Sequence, residues 1–270
     1  MKIDLEHTLN EVIKIARRTG DYIRHESHRF DHSKIEEKGV NNLVSYVDKE
    51  AEHMIVQTLR FTLKEAGFIT EEDTDNERSD EYNWVVDPLD GTTNFMHGVP
   101  IYSVSIALLK KDKPVLGVVY EVNRDECFHA MEGGKAYCNR KEINISPVKK
   151  LKDGLFITGL PYTNFENVDK YFGVFKYFMQ HTHGFRRLGS AAADLAYVAC
   201  GRAEGFFEQG LHVWDVAAGV LIVKQAGGFV SDFNGGDDYL FGGELVAGCS
   251  VHHEMQKVIK KYWQENKNPV

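Results

Sequence analysis

The chain has 270 residues, 43% of them hydrophobic, and a formal net charge of −8. That is enough apolar material for one large core or two smaller fused ones, while the acidic balance argues against a broad nucleic-acid footprint, which needs clustered Lys and Arg. Cys127, Cys138, Cys200 and Cys249 are scattered and read as reduced core thiols; no run reaches the roughly 18 apolar residues of a membrane span and Met1–His7 lacks a secretory apolar stretch, so a cytoplasmic protein with no membrane contact is expected.

Asp4 reads as an N-cap for an amphipathic helix in which Leu5, Leu9, Val12, Ile13, Ala16 and Ile23 recur at helical spacing, interrupted at Gly20. Residues 34–47 are irregular and charged at their start. Asp48 is expected to open a second helix, with Ala51, Met54, Ile55, Leu59 and Leu63 inward and Gly67 closing it. Phe68–Thr70 reads as a strand leading into Glu71-Glu72, and a polar loop over 73–81 precedes a strand that ends at Asp87. Strands at 102–109, 115–122, 126–131 and 142–145 follow, joined by turn residues, as neighbours in an antiparallel sheet. From Leu151 the pattern alternates: strand 155–158, helices 168–179 and 190–199, strand 205–208, helix 215–225, strands 229–231 and 245–247, helix 250–264. A mixed α/β layered fold follows, with no repeat or Pro-rich linker and a tight junction near Pro147 between residues 1–146 and 147–270.

The run Trp84-Val-Val-Asp-Pro-Leu-Asp-Gly-Thr-Thr-Asn-Phe95 carries the chemistry. A strand end is rigid, Pro88 fixes one backbone angle, and Gly91 permits a turn closed to most residues. Asp87 and Asp90 can then face one side of a bend with the Leu89 carbonyl between them, a hard-oxygen set suited to Mg²⁺ or Mn²⁺. Thr92 and Thr93 follow where the chain could enter a helix, placing hydroxyls and N–H groups where phosphate could sit. A plain surface turn has the same Asp-Pro-x-Asp-Gly form. Glu71 and Asp215 share the setting, each at a strand end or helix start, so four acids could converge. A capping carboxylate is the plainer role for Asp215 and for Asp48, and an exposed strand-end charge the plainer one for Glu208.

Asp87–Phe95 and Trp214-Asp-Val-Ala-Ala-Gly-Val-Leu-Ile-Val-Lys-Gln-Ala-Gly-Gly228 resemble both signatures of the inositol monophosphatase family, and Glu71-Glu72 resembles its third metal motif. Gly133–Asn139 is similar to the family's glycine hairpin, and Arg187–Ala192 with Gly205–Glu208 to its substrate wall, so the likeness spans Lys38 to Gly248. The resemblance implies a layered αβαβα sandwich, a homodimer, and Mg²⁺-dependent hydrolysis of a small phosphate ester. By it, Glu71, Asp87 and the Leu89 carbonyl would hold one Mg²⁺, Asp87, Asp90 and Asp215 a second, and a weaker third would sit near Glu71 in some members. It assigns water activation to Thr92 with Asp48 as partner, and Lys38-Gly39 to a mobile loop. Substrate contacts would come from Asp90, Gly91, Thr92, Thr93, Ser190, Ala191, Glu208 and Asp215, with Glu208 accepting hydrogen bonds from vicinal hydroxyls. Asn42 stands where many relatives carry an acid, and Gln225 where many carry Glu. Lithium sensitivity is implied only as a family trait.

Inositol monophosphate is the first substrate the resemblance implies, with fructose 1,6-bisphosphate, the 2′-phosphate of NADP or adenosine bisphosphates accepted by the same motifs in relatives. A haloacid-dehalogenase Asp-x-Asp fails by one residue of spacing. A calcium loop over Asp73, Asp75 and Glu77 fails because Arg78 takes the glycine place and Trp84 that of the bidentate Glu. No Gly-x-x-x-x-Gly-Lys, Gly-x-Ser-x-Gly or His-Glu-x-x-His occurs. From another class, the chain could be a regulatory protein that holds a phosphorylated ligand through metal without turnover; Thr92 beside four acids speaks against it. His97 and His212 neighbour the signatures and receive no role.

Overall fold

The computed structural model describes residues 3–31, 33, 35–39, 42–161 and 165–264, the side chains of 35–39, 42 and 43 excepted. Asp4 caps helix α1 (Leu5–Ser27) by accepting from His7 N at 3.0 Å. The helix continues through Gly20, where a Cβ would lie 2.2 Å from the Tyr120 ring. The glycine marks a close approach to the sheet below, not a break.

Residues expected to be irregular form an antiparallel pair, β1 (Ile35–Gly39) and β2 (Asn42–Ser45). Helix α2 (Tyr46–Thr62) is capped by Ser45, and Asp48 sits three residues in, where its Oδ2 accepts from Ser45 N at 2.9 Å and Ser45 Oγ at 2.6 Å. Asp48 therefore completes a capping box and does not open the helix. Gly67 likewise begins β3 (Gly67–Thr70), the helix having ended at Thr62.

Seven strands lie in chain order in one sheet: β3, β4 (Tyr82–Asp90), β5 (Ser103–Lys110), β6 (Lys113–Glu121), β7 (Glu126–Met131), β8 (Tyr137–Cys138) and β9 (Lys141–Glu142). Within this sheet, among the described residues, only β3 and β4 pair in parallel. The uniform hydrophobicity of β4 has a period-2 cause, since both faces are covered. Trp84 and Val86 pack with α1 and α2, while Val85 points into a cluster with α5 (Ala191–Ala199) and α6 (Val213–Gln225). Beyond α5 and α6 lies a five-stranded sheet ordered β11 (Phe185–Arg186), β10 (Phe156–Thr158), β12 (Gly205–Gln209), β14 (Glu244–Gly248), β13 (Phe229–Ser231). Its outer face carries α4 (Val168–His181) and α7 (His252–Gln264), whose Tyr171, Phe178, Met255 and Ile259 meet Phe207 and Val246.

The layers run αβαβα, as the family resemblance implies. Residues on both sides of Pro147 share the cluster around α6, among them Val85 and Val119 with Leu195 and Val220. Among the described residues no helix is long and apolar enough to cross a membrane.

Candidate active site

Acids reach one point because strand register puts them there. Thr70 of β3 pairs with Val86 of β4, so Glu71 emerges beside Asp87, with its N–H on Val86 O at 3.3 Å. On the other side of β4, Asp87 pairs with Ser105 and Asp90 with Ser103, three steps against two. That extra residue is a β-bulge. Side chains three apart in a regular strand point to opposite faces; the bulge cancels the alternation and turns Asp87 and Asp90 to the same side. β4 thus runs on to Asp90 where the sequence suggested an end at Asp87. Gly91 follows at φ +99°, and the chain enters a short helix α3 (Thr92–Met96).

Thr92 Oγ1 lies 2.9 Å from Asp48 Oδ1 and 3.0 Å from the Leu89 carbonyl, and its one hydrogen can serve either. Burial pushes the Asp48 carboxyl above its usual range, against hydrogen bonds from Ser45 and Thr92 that favour the ion. Asp90 is met from the start of α5: its Oδ2 accepts from Ser190 Oγ at 2.8 Å and Ala192 N at 2.7 Å. Ser190 caps that helix and also meets Ser103 Oγ at 2.9 Å. Burial raises Asp90 to about 6 against these donors. Asp215 does cap α6, as its plainer reading required, with His212 N donating to Oδ2 at 2.6 Å. It also lines the cavity, and burial reinforced by Asp90 raises it to about 8. Glu71 and Asp87 stand well above the ordinary carboxylate range, through burial first and then the charge of Asp215 on Glu71 and of Glu71 and Asp90 on Asp87.

Every predicted metal and substrate residue lines a single cavity of about 960 Å³. Asp48 stands behind Thr92. Lys38 lies in β1, and its side chain is outside the described residues.

Among the described residues no three His, Cys, Asp or Glu side chains already form a ligand cluster. Asp90 and Asp215 each commit an oxygen to a backbone N–H group. The other oxygens of the four acids line the cavity, and, after burial, the charges of Glu71 and Asp90 push the Asp87 carboxyl up while that of Asp215 pushes up Glu71. Hard oxygens crowded in this way are a donor set that a divalent cation relieves. The residues fit Mg²⁺ or Mn²⁺.

The facing wall differs. Glu208, at the end of β12, is 7% exposed, and a Cβ on Gly159 would fall 1.8 Å from its Oε1, so the glycine clears the space its carboxylate fills. Burial and then Asp215 raise Glu208 to about 8, with Arg187 opposing. Asp194 lines the same cavity, and sequence reasoning missed it. It is 1% exposed, its Oδ1 has no hydrogen-bond partner among the described residues, and burial followed by Glu208 drives its carboxyl well above the usual range. Its position one helical turn after Ser190 was the available signal. His212 stacks on Trp214 at 4.7 Å and, like His97, lines the cavity.

A model described as the Inositol monophosphatase family matches residues 4–267. The chain is 39% identical over 255 residues to inositol-1-monophosphatase of Mesorhizobium japonicum, covering 94% of this chain and 96% of that one. It is 42% identical over 241 residues to Nus factor SuhB of Escherichia coli K12, covering 89% and 90%. The crystal structure of the extragenic suppressor protein suhB from Bartonella henselae is similar at a TM-score of 0.89 and 36% identity, over 93% of this chain and 98% of that one.

Proposed function

Since the chain belongs to the inositol monophosphatase family, a family of metal-dependent phosphatases, we propose that it hydrolyses a phosphate monoester with Mg²⁺, inositol monophosphate first. The observation that carries this reading is the Thr92–Asp48 hydrogen bond of 2.9 Å set beside four acids that line one cavity. Mg²⁺ held by Glu71, Asp87, the Leu89 carbonyl, Asp90 and Asp215 would neutralise phosphate charge and acidify a water.

The chain supplies the rest. With its hydrogen on Asp48, the Thr92 hydroxyl keeps lone pairs to accept a proton from water, and Asp48, its proton affinity raised by burial, can take the charge. Gly91, Thr92 and Thr93 offer N–H and hydroxyl donors to phosphate oxygens. Water attacks phosphorus as its proton passes to the Thr92–Asp48 pair, the P–O bond to the alcohol breaks, and the leaving oxygen takes a proton from solvent and departs as the alcohol along the wall of Ser190, Ala191 and Glu208. Glu208 and Asp215 accept hydrogen bonds from the hydroxyls of a polyol, which supports an inositol or sugar ring over a plain alkyl ester. Lys38 belongs to this reading as a residue beside the site, carried by strand β1 and not by the loop that the resemblance implies. So do a cytoplasmic homodimer, tested by sedimentation, and a division at 1–146 and 147–270.

The test is phosphate release from inositol 1-phosphate, fructose 1,6-bisphosphate, the 2′-phosphate of NADP and an adenosine bisphosphate, with Mg²⁺ and with chelator. Mg²⁺-dependent release, fastest from inositol 1-phosphate, is expected; release from none contradicts the reading. A second reading, a metal-dependent regulatory protein that binds a phosphorylated ligand without turnover, draws support from the name Nus factor of the Escherichia coli relative. Binding without release in the same assay would establish it.

A further inference from the structure

Helix α2 presents two buried carboxylates one turn apart, and only Asp48 has a part in the chemistry above. Glu52 lies on the same helical face and is 0% exposed. Its Oε2 accepts from Glu72 N and its Oε1 from Thr74 N, both at 2.8 Å. One carboxylate thus closes on two backbone donors of the loop that leaves β3, and Glu71 is the first residue of that loop. Between the two donors Asp73 adopts φ +59°, a conformation costly for a residue with a Cβ. On the strand side Glu71 N is tied to Val86 O. Glu71 is therefore fixed from both directions.

A buried carboxylate is expensive to desolvate, and a single loop amide needs no such group. What Glu52 provides is a two-point acceptor of fixed span. The same helix, one turn earlier, holds Thr92 through Asp48 Oδ1. Because an α-helix is rigid over one turn, the spacing between the Glu71 loop and the Thr92 hydroxyl is set by α2.

We infer that Glu52 is a positioning residue of the metal site, a clamp whose two carboxylate oxygens hold the Glu71 loop in register with the Thr92–Asp48 pair. The inference rests on the proposed metal-dependent phosphatase reading. Glu52 touches neither substrate nor metal and acts through the Glu72 and Thr74 amides.

The test uses the full chain with Glu52→Gln and Glu52→Asp. Gln turns an N–H donor toward a backbone donor; Asp keeps the charge and is one methylene too short to span both amides. Titration calorimetry with Mg²⁺ should show affinity lowered by about 10- to 100-fold in both variants, the usual range for groups that orient ligands. Substrate KM at saturating Mg²⁺ should stay near wild type. If Glu52→Asp binds Mg²⁺ like wild type while Glu52→Gln does not, charge alone is at work and the clamp is refuted. Unchanged affinity in both refutes it too.

Should neither variant fold, hydrogen exchange on the wild-type chain decides. Glu72 and Thr74 amides should exchange as slowly as those of β4, and exchange at open-loop rates overturns the inference. A wild type that takes up no Mg²⁺ overturns the proposed function and this inference with it; uptake with unaffected variants overturns this inference alone.

Discussion

The two sides of the cavity are finished to different degrees. On the metal side donors meet the acids: Asp48 has Ser45 and Thr92, Asp90 has Ser190 and Ala192, Asp215 has His212 N. On the alcohol side Asp194 Oδ1 meets none among the described residues, and Glu208 occupies room that Gly159 leaves open. An unsatisfied buried acceptor costs about 1–3 kcal/mol, which a hydroxyl donor arriving there would recover. The side that performs chemistry is organised in advance, as electrostatic catalysis requires, and the side that selects is left for the substrate to complete.

Removing a metal-side acid should break this contrast most. Asp215→Asn or Asp90→Asn should abolish measurable phosphate release and weaken Mg²⁺ uptake, yet raise the melting temperature in chelator near pH 8, because each replaces a group whose ionised form the site disfavours. Near-normal release in either variant would remove the acid cluster from the mechanism. Thr92→Ala should lower kcat by about 10² to 10⁴ while leaving Mg²⁺ affinity within a few fold, read by kinetics and calorimetry together.

On the alcohol side the effects should be smaller and of another kind. Assayed above pH 8, where the Glu208 carboxylate is ionised, Glu208→Gln should raise KM for inositol 1-phosphate by about 10-fold, the weight of one charge-assisted hydrogen bond, and leave p-nitrophenyl phosphate unaffected. Equal losses on both substrates would show that Glu208 serves the chemistry. The pH dependence is the mildest test. Asp215 and Glu208 titrate at about 8 in the fold and near 4 in an unfolded chain, so between those values the folded state binds more protons. Stability in chelator must then fall as pH rises from about 4 to about 8. Mg²⁺ competes with the protons of Asp90 and Asp215, at about 6 and about 8, so the melting shift it produces should grow from about pH 6 to about pH 8.

The metal side was the more legible in sequence, because its devices are local: Asp87, Asp90, Gly91 and Thr92 stand within six residues, and a glycine before two threonines announces a turn into a helix. The β-bulge that turns both acids to one side left no such mark, since it is defined by pairing with Ser103 and Ser105. Asp48 was misplaced by three residues because Ser45 and Asp48 are both cap formers, and only the β2 strand decides which comes first. The β1–β2 pair was missed where charge hides alternation. Two-residue β8 is too short to carry a period. Glu52 and Asp194 looked like ordinary helix positions; the first gains its meaning from amides 20 and 22 residues away, the second from a wall assembled by β12.

Titrating Mg²⁺ into the protein by calorimetry in two buffers of different protonation enthalpy tests the whole construction most directly. Uptake should expel protons near neutral pH, lose that proton release well above pH 8, and weaken sharply in Asp90→Asn. No heat of Mg²⁺ binding at any pH, or uptake indifferent to Asp90→Asn, would contradict it.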